Sequence, residues 1–546
     1  MTLFVDGVEV TVPAGSTILE AAAATGIRVP TLCDHPALKP RAACRLCVVE
    51  CDGGHRLKAA CATEVYEGAR VATKSRELLN LRRTVLRLIL SNHPDECPVC
   101  ERNLNCELQT LAREFGIPRL PFREEFPKTP DEKDSGDILR NPDKCVKCGR
   151  CVAVCREIQG VEAAGDFGRS RDYGPGTPFG EELADGPCVA CGECVLACPV
   201  GALRERDDSG AVLKALDEAG KVKVALLSPE VAPGLEDALG CPRGSVGAGG
   251  TITALKRTGF ERVFGRDAFL ALSALEEAGM FLSSEAPDKP FVSLCSPRAE
   301  SFLIRGLPGD SVIVSKAPNP DGIFGGIFGE AIAASFLPCV ARKSGKESKN
   351  PGAGAGEVRG LTFALNSREL ARLAKVRGFD LAGLPPSDFD VPPEAARVPK
   401  NARGIPEGAR EDFARIARAI FALDAEGERG RPFSALRARN AGRVRTLALS
   451  GGKTADFVLV FGTLEAKRVL GEKAKGVARP TRVKVMSCPR GCAGGGGQVR
   501  ETVRAFPREP ESGGFAAPGE RGEPWNPPEL PGEKELLARL FGGAEG

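Results

Sequence analysis

The fold turns on Cys488-Pro-Arg-Gly-Cys492-Ala-Gly-Gly-Gly-Gly-Gln498. Two thiols stand four residues apart among five glycines, Gly491 and 494–497. Thiolates are soft ligands that select iron–sulfur clusters, zinc or copper(I). Glycine lets the backbone approach a bulky object and take up positive φ. The stretch reads as a socket for an inorganic cofactor. The competing reading is a flexible glycine loop with two incidental thiols. The rest of the chain speaks against that, because it too is built like a cluster carrier.

The chain has 21 cysteines in 546 residues, mostly in C-x2-C groups. With no basic segment leading into an apolar run at the N-terminus, that pattern points to metal rather than disulfides. A reducing cytoplasm is the expected compartment. The length exceeds what one core organises, so several domains are expected. A net charge of +3, one Trp and two Tyr give no basis for nucleic-acid binding. The most apolar stretch, 324–341, contains Glu330 and Pro338 and is barely long enough to cross a bilayer. It reads as a buried helix running into a loop, so no membrane span is expected.

From the N-terminus, Leu3, Val5, Val8, Val10 and Val12 alternate around Asp6-Gly7, a hairpin signal. Residues 16–25 open with a capping residue and carry Ala, Leu and Ile at helical spacing. Cys33, Cys44, Cys47 and Cys61 follow as C-x10-C-x2-C-x13-C, which suits a [2Fe–2S] cluster. Zinc is the alternative, but the long first gap is unusual for a zinc ribbon. Cys51, in the same segment, is unassigned. Residues 76–92 read as a helix with an apolar face of Leu78, Leu79, Leu81, Val85, Leu86, Leu88 and Ile89. It delivers the chain to His93, Cys97, Cys100 and Cys106, spaced H-x3-C-x2-C-x5-C. Residues 107–140 read as a charged, Pro-rich connection. Then C-x2-C-x2-C-x3-C occurs twice, at Cys145, Cys148, Cys151 and Cys155 and at Cys188, Cys191, Cys194 and Cys198, the second followed by Pro199. In two-cluster ferredoxins the fourth cysteine of each run ligates the other cluster. Cys145, Cys148, Cys151 and Cys198 are therefore expected to hold one [4Fe–4S] cluster, and Cys188, Cys191, Cys194 and Cys155 the second.

Beyond residue 205 the pattern becomes α/β. Residues 223–227 read as a strand, 250–258 as a capped helix and 259–264 as a return strand. Stretches 343–360 and 505–532 are polar or Pro/Gly-rich and read as mobile.

The first cysteine group resembles the ferredoxin-like N-terminal domain of iron-only ([FeFe]) hydrogenases and of the large complex I iron–sulfur subunit, which implies a β-grasp fold. The His/Cys3 spacing matches the [4Fe–4S] site of the same two families. The order of elements after residue 205 resembles the catalytic domain of iron-only hydrogenases. So do Leu275-Glu276-Glu277-Ala278, Phe291-Val-Ser-Leu-Cys295-Ser-Pro297, Phe336-Leu-Pro-Cys339-Val-Ala-Arg342-Lys343, Ser367-Arg-Glu-Leu and the 488–498 stretch. Residues 535–543 are similar to the family's closing helix. The implied architecture is multidomain, α+β and α/β. It comprises a β-grasp [2Fe–2S] domain (1–78), a small His/Cys3 domain (79–118), a two-cluster ferredoxin domain (136–205), a large α/β H-cluster domain (206–500) and a C-terminal extension (501–546).

The resemblance implies that Cys295, Cys339, Cys488 and Cys492 hold an H-cluster, a [4Fe–4S] cube joined through the Cys492 thiolate to a two-iron unit. The cofactor set is then one [2Fe–2S], three accessory [4Fe–4S] clusters and the H-cluster. Ala232, Pro233, Arg342 and Gln498 fall at positions implied to surround it. The implied activity is that of a hydrogenase interconverting H2 with protons and electrons. Its two-iron unit would be inserted by maturation enzymes, and its electrons would pass to ferredoxin or to a flavin/NAD(P)-binding partner subunit. No G-x-G-x-x-G turn follows a strand, so a nicotinamide site is expected on a partner.

The sequence departs from the family along the implied proton route. Leu294 stands where the family has a relay cysteine and Met280 where it has a glutamate; neither side chain can pass a proton. Arg342 replaces a lysine, and its planar fork has a different reach. Leu337 replaces a methionine, and a glycine pair expected between 400 and 420 is replaced by residues such as Ala409-Arg-Glu-Asp-Phe413. A slow or sensory protein is the expectation. The alternatives are an electron-transfer subunit without an H-cluster, and a subunit of an electron-bifurcating complex.

Overall fold

A computed structural model describes the chain except residues 54–55, 118–136, 285, 287, 344–360, 382, 393–408, 430–442, 478–479, 490–491, 493–497, 499–526 and 532–546. The polar stretches 344–360 and 505–526, the glycines at 494–497 and the closing helix at 535–543 lie outside the described residues. The chain divides into two compact units. The first comprises 1–157, 162–186 and 197–204; the second comprises 158–161, 187–196 and 205–546.

In the first unit, strands Thr2–Val5 and Val8–Thr11 pair antiparallel, with Leu3 opposite Val10. Asp6 and Gly7 both take positive φ, as a two-residue hairpin turn of this hand requires. Thr2–Val5 then pairs parallel with Arg70–Ala72. Val48–Cys51 and Arg56–Ala59 complete a five-stranded sheet. Helix Ile18–Ala24 starts on a capping box in which Thr17 and Glu20 bond each other's backbone amides. Its Ile18, Ala21 and Ala22 pack with Leu3, Val5, Val49 and Val71. Cys51, unassigned from sequence, belongs to this core as a small apolar residue. Helix Arg76–Ser91 follows, as expected, but its buried face is Leu78, Arg82 and Leu86, while Leu79 and Leu88 of the expected apolar face are exposed.

The expected connection over 107–140 is corrected at its ends. Residues Glu107–Glu114 form a helix and Ile138–Arg140 a short strand. Leu108 and Leu111 stand one helical turn apart and both are buried, a signal that the surrounding charges masked.

The second unit contains two sheets. In one, Arg262–Gly265, Lys223–Leu227, Ile332–Phe336 and Phe363–Leu365 lie side by side, all parallel. In the other, Ile313–Val314, Phe291–Leu294, Thr481–Met486 and Thr454–Phe461 are parallel, and Arg443–Ala448 closes the edge antiparallel. Helices Arg266–Leu282 and Arg410–Arg429 pack together over an apolar core that includes Phe281, Phe291, Phe413 and Phe457.

Two expectations change here. The apolar stretch 324–341 is no single helix. Helix Pro320–Ile327 ends early within it, and Ile332–Phe336 is a wholly buried central strand. A strand covered on both faces reads as a continuous apolar run, which periodicity alone does not separate from a buried helix. The helix expected over 250–258 begins at Gly247, and no side chain of its own caps it. The Glu236 carboxylate does so, accepting from the amides of Gly244, Val246 and Gly247 at 2.8–2.9 Å.

Candidate metal centres

In the first unit the expected ligands sit on loops held open by unusual backbone. Cys44 N–H donates to Cys33 Sγ at 3.4 Å, and the Cys47 and Cys61 sulfurs are 3.4 Å apart. Cys33 also acts electrostatically on Cys47 and Cys61, so the four thiols form one group. Within each pair the shared hydrogen bond splits the thiols. Cys44 and Cys47 are brought down to about 7, while Cys33 and Cys61 are pushed up by that bond and by burial. The buried Arg82 guanidinium donates to the carbonyls of Leu46, Val48 and Thr73, fixing the backbone on either side of Cys47.

His93, Cys97, Cys100 and Cys106 line one cavity. Gly201 closes it, and a Cβ there would lie 2.8 Å from Cys100 Sγ, so only glycine fits without displacement.

Cys145, Cys148, Cys151 and Cys198 line a second cavity, with Val146, Pro199 and Val200. The fourth member comes from the other C-x2-C-x2-C-x3-C run, the crossed grouping that the sequence predicts. Burial, then the neighbouring Cys198 thiol, pushes Cys148 up to about 12. The two runs share a local conformation. Lys147 and Ala190, at equivalent positions, have φ of 53° and 52°, and their amides donate to Cys145 Sγ and Cys188 Sγ, each at 3.4 Å. Left-handed backbone at a non-glycine residue is costly and persists where surroundings impose it. Here it turns amides toward sulfur. Cys155 belongs to the first unit, and Cys188, Cys191 and Cys194 to the second.

The second unit assembles its thiols differently. Cys295 directly follows strand Phe291–Leu294, Cys488 lies two residues past Thr481–Met486, and Cys339 three past Ile332–Phe336. All three stand at carboxyl ends of parallel strands, where open α/β sheets place their ligands. Ser487 N–H donates to Cys295 Sγ at 3.2 Å, and Ser487 Oγ lies 3.2 Å from the same sulfur. Cys488 is pushed well up by burial and then by the Cys339, Cys295, Glu193 and Cys492 groups. Burial raises Cys339 to about 11 against the opposing Arg342 cation. The structure thus brings Cys295, Cys339 and Cys492 into electrostatic range of Cys488. Cys339 and Cys488 are buried and Cys295 and Cys492 half-buried, and burial with neighbouring thiols disfavours ionisation of the buried pair. A bound metal reverses that by deprotonating its thiols. The Ser296 hydroxyl, next to Cys295, is 1% exposed and has no hydrogen-bond partner among the described residues. An orphaned donor beside a soft-ligand set fits an anionic group held there.

The other expected positions divide. Ala232 is buried and Pro233 exposed at the start of helix Val231–Leu239. Arg342 lines a cavity with Leu294 and Cys295, and its guanidinium pairs with Asp321. Asp321 also pairs with Arg266 at 2.8 Å and accepts from Ser335 at 2.6 Å. Gln498 serves the protein's own frame. Its side chain accepts from Ser367 Oγ at 2.8 Å and donates to Glu230 O at 2.7 Å. A Cβ on Gly234 would lie 2.0 Å from Gln498 Oε1, so this approach requires glycine at 234.

Sequence reasoning missed a buried charge network. Arg482 pairs with Glu277 at 2.7 Å and Asp424 at 2.9 Å; Lys484 pairs with Asp424 at 2.8 Å. Ser293 Oγ donates to Glu277 at 3.1 Å and accepts from Lys484 at 3.2 Å. Alternation along 481–486 marks a strand, but alternation alone assigns Arg482 and Lys484 to a solvent face.

Among the described residues no three His, Cys, Asp or Glu side chains are grouped as ligands of a single metal ion. Among them, too, no helix is long and apolar enough to cross a membrane.

Residues 221–496 match the family described as "Iron only hydrogenase large subunit, C-terminal domain", about half of the chain. The chain belongs to this family. Residues 1–76 match a 2Fe-2S iron-sulfur cluster binding domain, and 82–120 an iron-sulfur binding region of NADH-ubiquinone oxidoreductase. The chain is 33% identical over 530 residues to the NADP-reducing hydrogenase subunit HndD of Solidesulfovibrio fructosivorans, covering 91% of this chain and 88% of that one. It is 39% identical over 203 residues to an NADH-quinone oxidoreductase chain of Rhizobium meliloti, covering 36% of this chain and 23% of that one. It is 37% identical over 203 residues to the NADPH-Fe(3+) oxidoreductase subunit alpha of Geobacter sulfurreducens, covering 37% of this chain and 24% of that one. The chain is thus an iron–sulfur oxidoreductase homologue with 2Fe–2S and 4Fe–4S binding regions ahead of a hydrogenase domain.

Proposed function

We propose that this protein is the H2-activating subunit of an NAD(P)- or ferredoxin-linked assembly, with slow turnover or a sensory role. The observation that carries the reading is the grouping of Cys295, Cys339 and Cys488 at the carboxyl ends of parallel strands, with Cys492 in electrostatic range of Cys488. In this reading those thiolates hold an H-cluster, which when bound supplies the site where H2 is taken up and split. The N-terminal thiol groups and His93 hold one [2Fe–2S] and three [4Fe–4S] clusters, which carry the electrons. The reading keeps the five domains proposed from the cysteine groups.

The chain's own residues then do three things. Leu294 and Met486 supply part of the apolar lining of the cavity beside Cys295. Arg342, tied to Asp321, keeps a fixed cation at the same cavity. Leu294 denies it a thiol relay. Met280 packs against the apolar core with Phe281 and Phe291, so no carboxylate serves at that position. Positioned proton transfer is typically worth about 10²–10⁴-fold, so turnover is expected to be low while H2 still binds.

A second reading is an electron-transfer subunit without the two-iron unit. It draws on the NADH-quinone and NADPH-Fe(3+) oxidoreductase relatives, but their likeness covers little more than a third of this chain. Infrared spectroscopy on protein co-expressed with maturation enzymes separates the two. CO and CN⁻ stretching bands that respond to H2 are expected; a spectrum without them leaves the electron-carrier reading.

A further inference from the structure

The cavity beside Cys295 raises a problem that the structure also answers. Protons released from H2 must leave it, yet the two positions discussed above are apolar. Among the described residues its polar lining comes chiefly from Glu277, Ser293, Arg342, Asp424 and Lys484. Arginine does not deprotonate in proteins, and Arg342 is tied to Asp321. Glu277 has one carboxylate oxygen on Arg482 and the other on Ser293, at 2.7 and 3.1 Å, and is buried. Asp424 lies between two cations. Burial works to raise its pKa, but Arg482 and Lys484 outweigh it and hold the carboxylate charged.

Lys484 differs from all of these. An ammonium has three donors. Two are used, on Asp424 Oδ2 at 2.8 Å and Ser293 Oγ at 3.2 Å. The third has no partner among the described residues, and the side chain lines the cavity. It is also the least buried of the four charged members, 13% exposed against 0% for Arg482, 3% for Glu277 and 6% for Asp424. Lysine is a compact, adaptable proton carrier, unlike arginine.

We propose that Lys484 is the proton-exchange residue of this cavity, joining it to solvent in place of a thiol at position 294. Asp424 and Ser293 hold its ammonium, and Arg482 with Glu277 completes a set of two cations and two anions. In the direction of H2 oxidation one N–H bond breaks as Lys484 gives a proton to solvent water. A new N–H bond forms as the amine takes a proton arriving from the cavity. Two such exchanges clear the two protons of each H2, while its two electrons leave through the iron–sulfur centres.

The inference rests on the H-cluster reading, and the test separates the two. Wild type, K484R and K484A are made with maturation enzymes and compared by infrared spectroscopy, H2 turnover and the rate at which the CO bands follow a pH jump. K484R keeps a cation opposite Asp424 but cannot exchange its proton. It is expected to retain the CO and CN⁻ bands while turnover and the pH-jump response fall at least about tenfold. K484A is expected to be equally slow and to recover when methylamine is added. Wild-type rates in K484R, or a K484A defect that methylamine leaves unchanged, overturn the assignment. If K484A fails to load, K484R decides alone. Absence of CO and CN⁻ bands from wild type removes the H-cluster reading, and the relay falls with it.

Discussion

The two units build thiol sites by opposite means. In the first, the thiols lie close in sequence, on loops such as Cys145–Cys151, where positive φ at Lys147 turns an amide toward sulfur. Local backbone makes the site. In the second, Cys295, Cys339 and Cys488 are far apart in sequence and follow the carboxyl ends of strands in two parallel sheets. Tertiary topology makes that site. The first kind is readable as a spacing; the second is readable only through the fold. The first depends on its loops and the few side chains that hold them, whereas the second depends on both sheets.

Four predictions strain this contrast, from the largest effect to the smallest. The crossed grouping of Cys198 with Cys145, Cys148 and Cys151 is the one place among the described residues where the first unit uses a distant thiol. C198S is expected to cost one whole cluster, read as iron content and a missing reduced-state paramagnetic signal, while the His93 site persists. Retention of full iron would mean that each run is self-sufficient.

Arg82 supports the Cys47 segment from a helix outside it. R82A leaves three buried carbonyls unpaired and removes a packed side chain, a loss of about 4 kcal/mol from unmade hydrogen bonds. Faster amide exchange over 44–50 with loss of the [2Fe–2S] absorbance is the expected readout. Unchanged protection would show that the loop holds itself.

Glu205 tests the second unit's dependence on long-range pairing. Burial works to raise its pKa, but Arg368 and then Arg372 bring it down from 4.5 to about 2. A carboxylate depressed in the folded state contributes stability above its unfolded pKa and loses it as pH falls through the folded value. That contribution is roughly 3 kcal/mol, disappearing between pH 4.5 and about 2. E205Q is expected to flatten the acid limb of amide protection over 366–370 in that window. A limb identical to wild type would show the Arg368 pair to be without weight.

L294C is expected to give the smallest change, a rise in turnover of about tenfold, below the usual range for a positioned proton donor because Lys484 already exchanges protons. A rise of a thousandfold would mean that Lys484 contributes little.

The N-terminal thiol groups are the most legible part of the sequence, because C-x2-C spacing constrains loop conformation directly. The two runs alone imply the grouping of Cys145, Cys148, Cys151 and Cys198 that lines one cavity. A helix whose cap and apolar face agree, Ile18–Ala24, is legible too, and so is the extent of Arg76–Ser91, though not the burial of its Arg82. Legibility fails where burial is total. Ile332–Phe336 shows no alternation because both faces are covered, and so it reads as helix. It fails again at Arg482 and Lys484, whose partners Glu277 and Asp424 lie on helices 205 and 60 residues away. Cys51 and Cys241 have no role derivable from spacing, and the structure packs both against apolar cores.

The central claim is that four thiols, following three separate strands, hold one iron centre. Anomalous diffraction at the iron edge, on crystals of protein made with its maturation enzymes, tests it directly. The account predicts a compact group of iron peaks bonded to Cys295, Cys339, Cys488 and Cys492, with further iron beyond the Cys492 sulfur. Iron confined to the N-terminal sites, with those four sulfurs bare, would contradict it.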